Sequence, residues 1–242
     1  QLTWLELKIF LREPMGAAGT VLMPALAFLG ASMAGNSIAP ARFGNSEFAR
    51  VGLPVLAAML TAVSAVLSLV TIIAVYREGG ILKRLRATPL RPHTIVLAHV
   101  LVKLVLTAVT LVILSLLGRR VVAPVPGASL AGFAVALLFS TAAILSLGFL
   151  MASVVRTARF AQPFGALVLY PMLAFSGVFV PVEVFPGWLQ GLARFLPLTR
   201  AVSLLQGAWL GEPWLAHAGD VVALTAFAAV SSLVASRVFR WE

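Results

Sequence analysis

The feature that most constrains this chain is a succession of long apolar stretches separated by short polar ones. Crossing a bilayer's hydrocarbon takes about 20 helical residues. Six stretches approach or exceed that length: 16–35, 51–76, 94–117, 129–155, 163–181 and 220–239. In hydrocarbon the backbone must satisfy its own hydrogen bonds, so each stretch is expected to be a helix. Of 242 residues, 61% are hydrophobic and 11% charged, where a soluble domain has about a quarter charged. One water-facing core cannot hide that much apolar surface. The expected fold class is therefore an all-α integral membrane protein with six transmembrane helices, forming a single domain over 1–242.

The formal net charge of +10 does not point to nucleic acid. The basic residues cluster between apolar spans, and no RNA- or DNA-binding motif accompanies them. Topology and lipid headgroups explain them better. Six spans put both termini on one side. That side holds Lys8, Arg12, Arg77, Lys83, Arg84, Arg86, Arg91, Lys103, Arg156, Arg159, Arg237 and Arg240. The other holds Arg42, Arg50, Arg119, Arg120, Arg194 and Arg200. Twelve against six places both termini in the cytoplasm, with the chain integral to the plasma (inner) membrane. The chain opens at Gln1 rather than Met, so we expect further residues upstream.

Two segments are too polar or too short to cross. In 1–14, Leu2, Leu5 and Ile9 recur at helical spacing among Glu6, Lys8, Arg12 and Glu13, which predicts an amphipathic interfacial helix. In the outer connection 182–219, Phe185-Pro186-Gly187 makes a turn, and Trp188, Leu189, Leu192 and Phe195 form one short helix. Pro197 breaks it, and Val202, Leu205 and Trp209 continue at helical spacing. Both pieces are expected to be interfacial or re-entrant. Pro171 should kink the fifth span. On the second span Thr61, Ser64, Ser68 and Thr71 share one face. They suit hydrogen-bonding glue between helices or, together with Phe175 and Phe179, a substrate path.

The chemistry that is missing narrows the function. There is no G-x-x-x-x-G-K-[ST], H-E-x-x-H, G-x-S-x-G or EF-hand pattern. With no cysteine, the chain has no disulfide, thiolate metal site or cysteine nucleophile. His93, His99 and His217 are scattered. Neither a metal nor a cofactor is expected in this chain, nor a catalytic residue. No Asp or Glu lies in the middle of a span, which argues against a proton- or sodium-coupled carrier. A membrane-embedded transferase would need a convergent acid, base or nucleophile set, and none is visible. A non-transporting assembly subunit remains an alternative.

The polar segment 77–93 reads REGGILKRLRATPLRPH. Glu78, a basic helix, and then Ala87-Thr88-Pro89-Leu90 resemble the cytoplasmic loop of ABC-2 type transporter permeases, the membrane subunits of ATP-driven exporters. Downstream, Ser176-Gly177-Val178-Phe179-Val180-Pro181, Phe185-Pro186-Gly187-Trp188-Leu189 and Leu196-Pro197-Leu198-Thr199 resemble that family's outer loop before its last helix. The chain departs from many members at Gly79-Gly80-Ile81, where they carry Glu-Gly-Thr, and at Arg200, where they carry Tyr.

The resemblance implies two permease copies, each docked on a soluble P-loop ATPase subunit that holds ATP and Mg. It implies a coupling helix at 80–88 seated in a cleft of that ATPase, with Glu78, Ile81, Leu82, Arg84, Leu85, Thr88 and Pro89 making the junction. It implies export by alternating access. The apolar residues of the first, second and fifth spans suit a hydrophobic or amphiphilic substrate, such as a drug, antibiotic or lipid. A polysaccharide exporter would be expected to offer more Trp and Tyr.

Overall fold

The computed structural model describes residues 52–80, 129–155 and 157–238, with helical pieces at 101–102, 105–106, 108–110 and 112–113. Among the described residues every regular element is helical. Helix α1 spans Leu53–Glu78, α2 Leu130–Val154, α3 Ala158–Phe175, α4 Gly187–Phe195, α5 Pro197–Leu210 and α6 Ala218–Val238. Single 3-10 turns at Val182–Val184 and Trp214–His217 precede α4 and α6. The interfacial segment 1–14, the first expected span 16–35 and most of the third, 94–117, lie outside the described residues.

Among the described residues, three helical stretches are long and apolar enough to cross a membrane: Pro54–Glu78, Ala131–Val154 and Trp214–Val238. They coincide with the second, fourth and sixth spans expected from sequence. Local signals explain their ends. Pro54 stands in the first turn of α1, where its missing N–H costs nothing. Ser129 caps α2 by accepting from the Gly132 amide at 3.1 Å.

Helix α2 is the centre, packed against α1, α5 and α6. Phe133, Leu137, Ile144 and Leu145 are fully buried along it, as is Ala152. Two of its hydroxyls bond back to the helix itself: Thr141 donates to the Leu137 carbonyl and Ser146 to that of Ala143, both at 2.6 Å. This satisfies them without a partner helix. On α1, Ala58, Ala62, Val66, Leu69 and Ile73 repeat at helical spacing and are buried. The alanines let backbones approach closely.

Helix α3 corrects the expectation for the fifth span. It begins at Ala158, inside what reads from sequence as a loop, and ends at Phe175, before Pro181. Pro163 and Pro171 both lie within it. Ser176 turns its hydroxyl onto the Leu173 carbonyl at 3.0 Å, and Gly177, with φ +85, takes the chain out of the helix. Arg159, Gln162 and the two prolines dilute its hydropathy, so it is not among the three apolar crossings. Its contact with α1 is close: a Cβ on Gly165 would come within 2.9 Å of Leu67 Cδ2.

The outer connection folds as two helices meeting at Pro197, as the sequence predicts. They differ in burial. Helix α4 exposes Trp188, Leu192 and Phe195. Helix α5 buries Leu198, Ala201, Val202, Leu204 and Leu205 and is wedged among α1, α2 and α6. Helix α5 thus lies inside the bundle, while α4 lies on its surface. Trp209 of α5 meets Phe133 of α2 edge to face, centroids 5.2 Å apart.

Candidate functional site

Polar side chains gather at the two ends of this apolar bundle. At one end, Arg77 lies in the last turn of α1 and is 8% exposed. Its Nη1 donates to the carbonyl oxygen of Val155, the residue that closes α2. Helix C-termini leave carbonyls without intrahelical donors and carry partial negative charge. A guanidinium there meets both needs. Glu78, the next residue, is exposed. Gly79 and Gly80 then reverse the chain, Gly80 with φ +66 and its amide donating to the Arg77 carbonyl at 3.1 Å. Gly80 thus lies in the turn that closes α1. Ile81, Leu82, Arg84, Leu85, Thr88 and Pro89 lie outside the described residues.

The hydroxyl row on α1 is placed in part. Thr61 is buried, and Ser68 and Thr71 are half-buried. Ser64 lies in α1, but its side chain is outside the described set. Phe175 ends α3 and packs edge to face on Phe185, with centroids 6.2 Å apart. Phe179, beyond the turn, is exposed.

At the other end sits a cluster that the sequence reading did not assemble. Asp220, in the first turn of α6, is buried at 7% exposure. Its Oδ1 accepts from Arg200 Nη1 at 3.0 Å and its Oδ2 from Ser203 Oγ at 2.8 Å. His217 Nδ1 lies 3.2 Å from the same Oδ2. His217 Nε2 is 2.9 Å from Glu212 Oε2. Arg200 also donates from Nε to the Arg194 carbonyl at 2.8 Å, tying α5 back to α4. A carboxylate at a helix N-terminus faces the favourable end of the dipole. A buried one still needs partners, and three side chains converge on it. The sequence signal was Asp220 itself, an acid heading an apolar span; nothing in the sequence named its partners. Among the described residues no group of His, Asp or Glu is arranged to hold a metal ion.

Long apolar helices, charged side chains kept, among the described residues, to helix ends, and an apolar outer surface define a helical membrane protein. The family model of the ABC-2 type transporter matches residues 1–210, and the chain belongs to that family. It is similar to Nodulation protein J of Rhizobium meliloti (strain 1021), 36% identical over 75 residues, 31% of this chain and 28% of that protein. It is also similar to Nodulation protein J of Rhizobium leguminosarum bv. viciae, 30% identical over 98 residues, 40% of this chain and 38% of that protein. The matched stretch thus covers between about a quarter and two fifths of each relative.

Proposed function

We propose that this chain is the membrane-spanning permease subunit of an ABC exporter, working as one of two copies. ATP and Mg would be held by two soluble P-loop ATPase subunits, since the sequence contains no P-loop. The observation that carries the reading is the family match over residues 1–210. The junction after α1 supports its mechanical part. There the chain enters the basic segment 81–93 directly from Arg77, which is fastened to the end of α2. A push on that segment would reach two helices at once. Glu78, exposed beside Arg77, would face the ATPase or the N-terminal segment 1–14. Phe160, Leu167 and Tyr170 on α3 and Val222 and Val230 on α6 are exposed and apolar, a surface suited to lipid or to the second copy.

The basic asymmetry supports six spans with cytoplasmic termini in the plasma membrane. The substrate would be hydrophobic or amphiphilic. Proteoliposomes holding the full-length protein and its ATPase partner test the reading. ATP-dependent movement of a fluorescent amphiphile across the vesicle membrane is expected. ATP-independent chemical modification of the substrate would favour a membrane-embedded transferase. ATPase binding without movement of any amphiphile would favour an assembly subunit.

A further inference from the structure

Two contacts fix where α4 lies. Helix α3 leaves the end of the bundle marked by Val155 and returns along α1. Over 18 residues it rises about 27 Å, close to the thickness of the hydrocarbon. Its last residue, Phe175, therefore stands at the opposite end of the bundle. There it packs edge to face on Phe185, just before α4, with ring centroids 6.2 Å apart. Near the other end of α4, the Arg194 carbonyl accepts from Arg200 Nε at 2.8 Å. Nη1 of the same guanidinium donates to Asp220, in the first turn of α6, at 3.0 Å. Both ends of α4 are thus tied to one end of the bundle, the first to the end of α3 and the last to the head of a crossing helix. The helix lies across the bundle, near the level where that crossing begins.

The faces of α4 divide cleanly. Gln190 Nε2 donates to the carbonyls of Glu183 and Phe185 at 3.2 and 2.9 Å, which pins the entry turn to the helix. Helix α4 packs on α5, and its buried residue is Ala193. At 100° per residue, Trp188, Leu192 and Phe195 share another face, within about 60° of one another and about 130° from Ala193. They are 75%, 52% and 84% exposed. Arg194 lies about 130° to the other side of that face and is also exposed. Three large apolar side chains aligned on one exposed helix face mark a surface that something apolar covers.

We propose that α4 is a lipid anchor: it lies in the plane of the membrane, with Trp188, Leu192 and Phe195 inserted into the phospholipid leaflet at that end of the bundle. Position and chemistry both select this occupant. An in-plane amphipathic helix sinks its apolar face about 5–10 Å into the boundary between headgroups and acyl chains. Tryptophan suits that depth, being an apolar ring with one polar N–H. Arg194, off the apolar face, is placed to meet lipid phosphate. At their exposures the three side chains offer on the order of 400 Å². A stable protein interface needs roughly 600 Å² from each partner, so this face does not by itself make a dimer contact. Because α4 is tied to the end of α3 and the head of α6, its insertion sets the level at which both helix ends sit in the membrane. The anchor does not depend on the proposed transport activity.

The chain has no native cysteine, so single-cysteine variants of the full-length protein test the anchor. Trp188→Cys, Leu192→Cys, Phe195→Cys and Arg194→Cys are each labelled with a small fluorophore and reconstituted into vesicles of phosphatidylcholine and phosphatidylglycerol. A phosphatidylcholine carrying a nitroxide near its headgroup reports contact with lipid, and iodide on both sides of the membrane reports contact with water. Labels at 188, 192 and 195 should lose at least about half their emission to the nitroxide and be quenched by iodide about fivefold less than the label at 194, as the depth of an interfacial helix requires. Equal quenching by iodide at all four positions would make α4 a solvated helix and overturn the proposal. Shielding of 188, 192 and 195 from both quenchers would overturn it too, because protein would then cover the face; cross-linking of Leu192→Cys between two copies would name the second copy as that cover. All four positions are exposed, and any one of 188, 192 and 195 compared with 194 decides the matter if another variant fails to fold.

Discussion

The buried guanidinium of Arg77, in the last turn of α1, donates a hydrogen bond to the carbonyl oxygen of Val155, which caps α2. One side chain thus joins the C-terminal ends of two helices far apart in sequence, where the chain turns into its most basic segment. Removing it would strip the Val155 carbonyl of its charged donor. Arg77→Met should cost about 1.5–3 kcal/mol of stability, the range for a hydrogen bond to a charged group. Arg77→Lys keeps the charge but not the planar fork, and should recover only part. Thermal unfolding of the full-length protein in detergent would show both. An unchanged melting temperature in Arg77→Met would show that the bond carries no stability.

Glu78 behaves differently because it is exposed. Glu78→Ala should change stability by less than about 0.5 kcal/mol and leave membrane insertion intact. If the residue faces a partner, coupled ATPase activity and export should nevertheless fall. Wild-type activity with the ATPase bound would make Glu78 an ordinary surface carboxylate.

The coupling reading of 80–88 needs apolar side chains seated in a groove of the ATPase, since contacts made by Lys83, Arg84 and Arg86 alone would loosen with salt. The chain has no cysteine, so Leu85→Cys is a clean probe. It should cross-link to the ATPase subunit in the assembled complex, with a yield that changes on adding ATP. Free reaction with a water-soluble maleimide and no cross-link would mark a solvated loop.

Arg200 and Asp220 should respond unequally to truncation. The Arg200 side chain is 33% exposed and that of Asp220 only 9%. Arg200→Met leaves a buried carboxylate with fewer donors, and should cost about 2–3 kcal/mol after allowance for the solvent reaching Arg200. Asp220→Asn lets Arg200 turn to water and should cost about 1 kcal/mol. The double variant should lose less than the sum of the two. Strict additivity of the melting shifts would show that the pair does not interact.

Gly207 tests the fit beneath His217. In Gly207→Ala the methyl and the ring compete for one place. The imidazole must leave both acids, at a cost of about 1–3 kcal/mol for overpacking. Combining Gly207→Ala with His217→Ala restores the space, so the pair should be no less stable than His217→Ala alone. Additive losses would mean that the ring does not lie on Gly207.

Much of this protein is legible as sequence because lipid imposes so few solutions. A helix must satisfy its backbone within itself, so an apolar run of sufficient length already states where the helix lies. That is why α1, α2 and α6 fall where their apolar stretches do, and why Pro197 separates α4 from α5. The bounds of α3 escaped because its first turns carry Arg159 and Gln162, and hydropathy cannot see a helix held by packing against α1. The depth of α5 escaped for a related reason: Val202, Leu205 and Trp209 specify an apolar face, and only the gap between α1, α2 and α6 decides that this face is buried. Charge was a poor guide to contact. The sequence put Arg77 at the end of the second span, Asp220 at the head of the sixth, and Arg200 and His217 in the connection before it. Which of them meet depends on where helix ends come together in space, and hydrogen bonds are short-ranged and directional. That choice belongs to the tertiary structure alone. It gave Arg77 to the end of α2 and made Asp220 the shared partner of residues 3, 17 and 20 positions away.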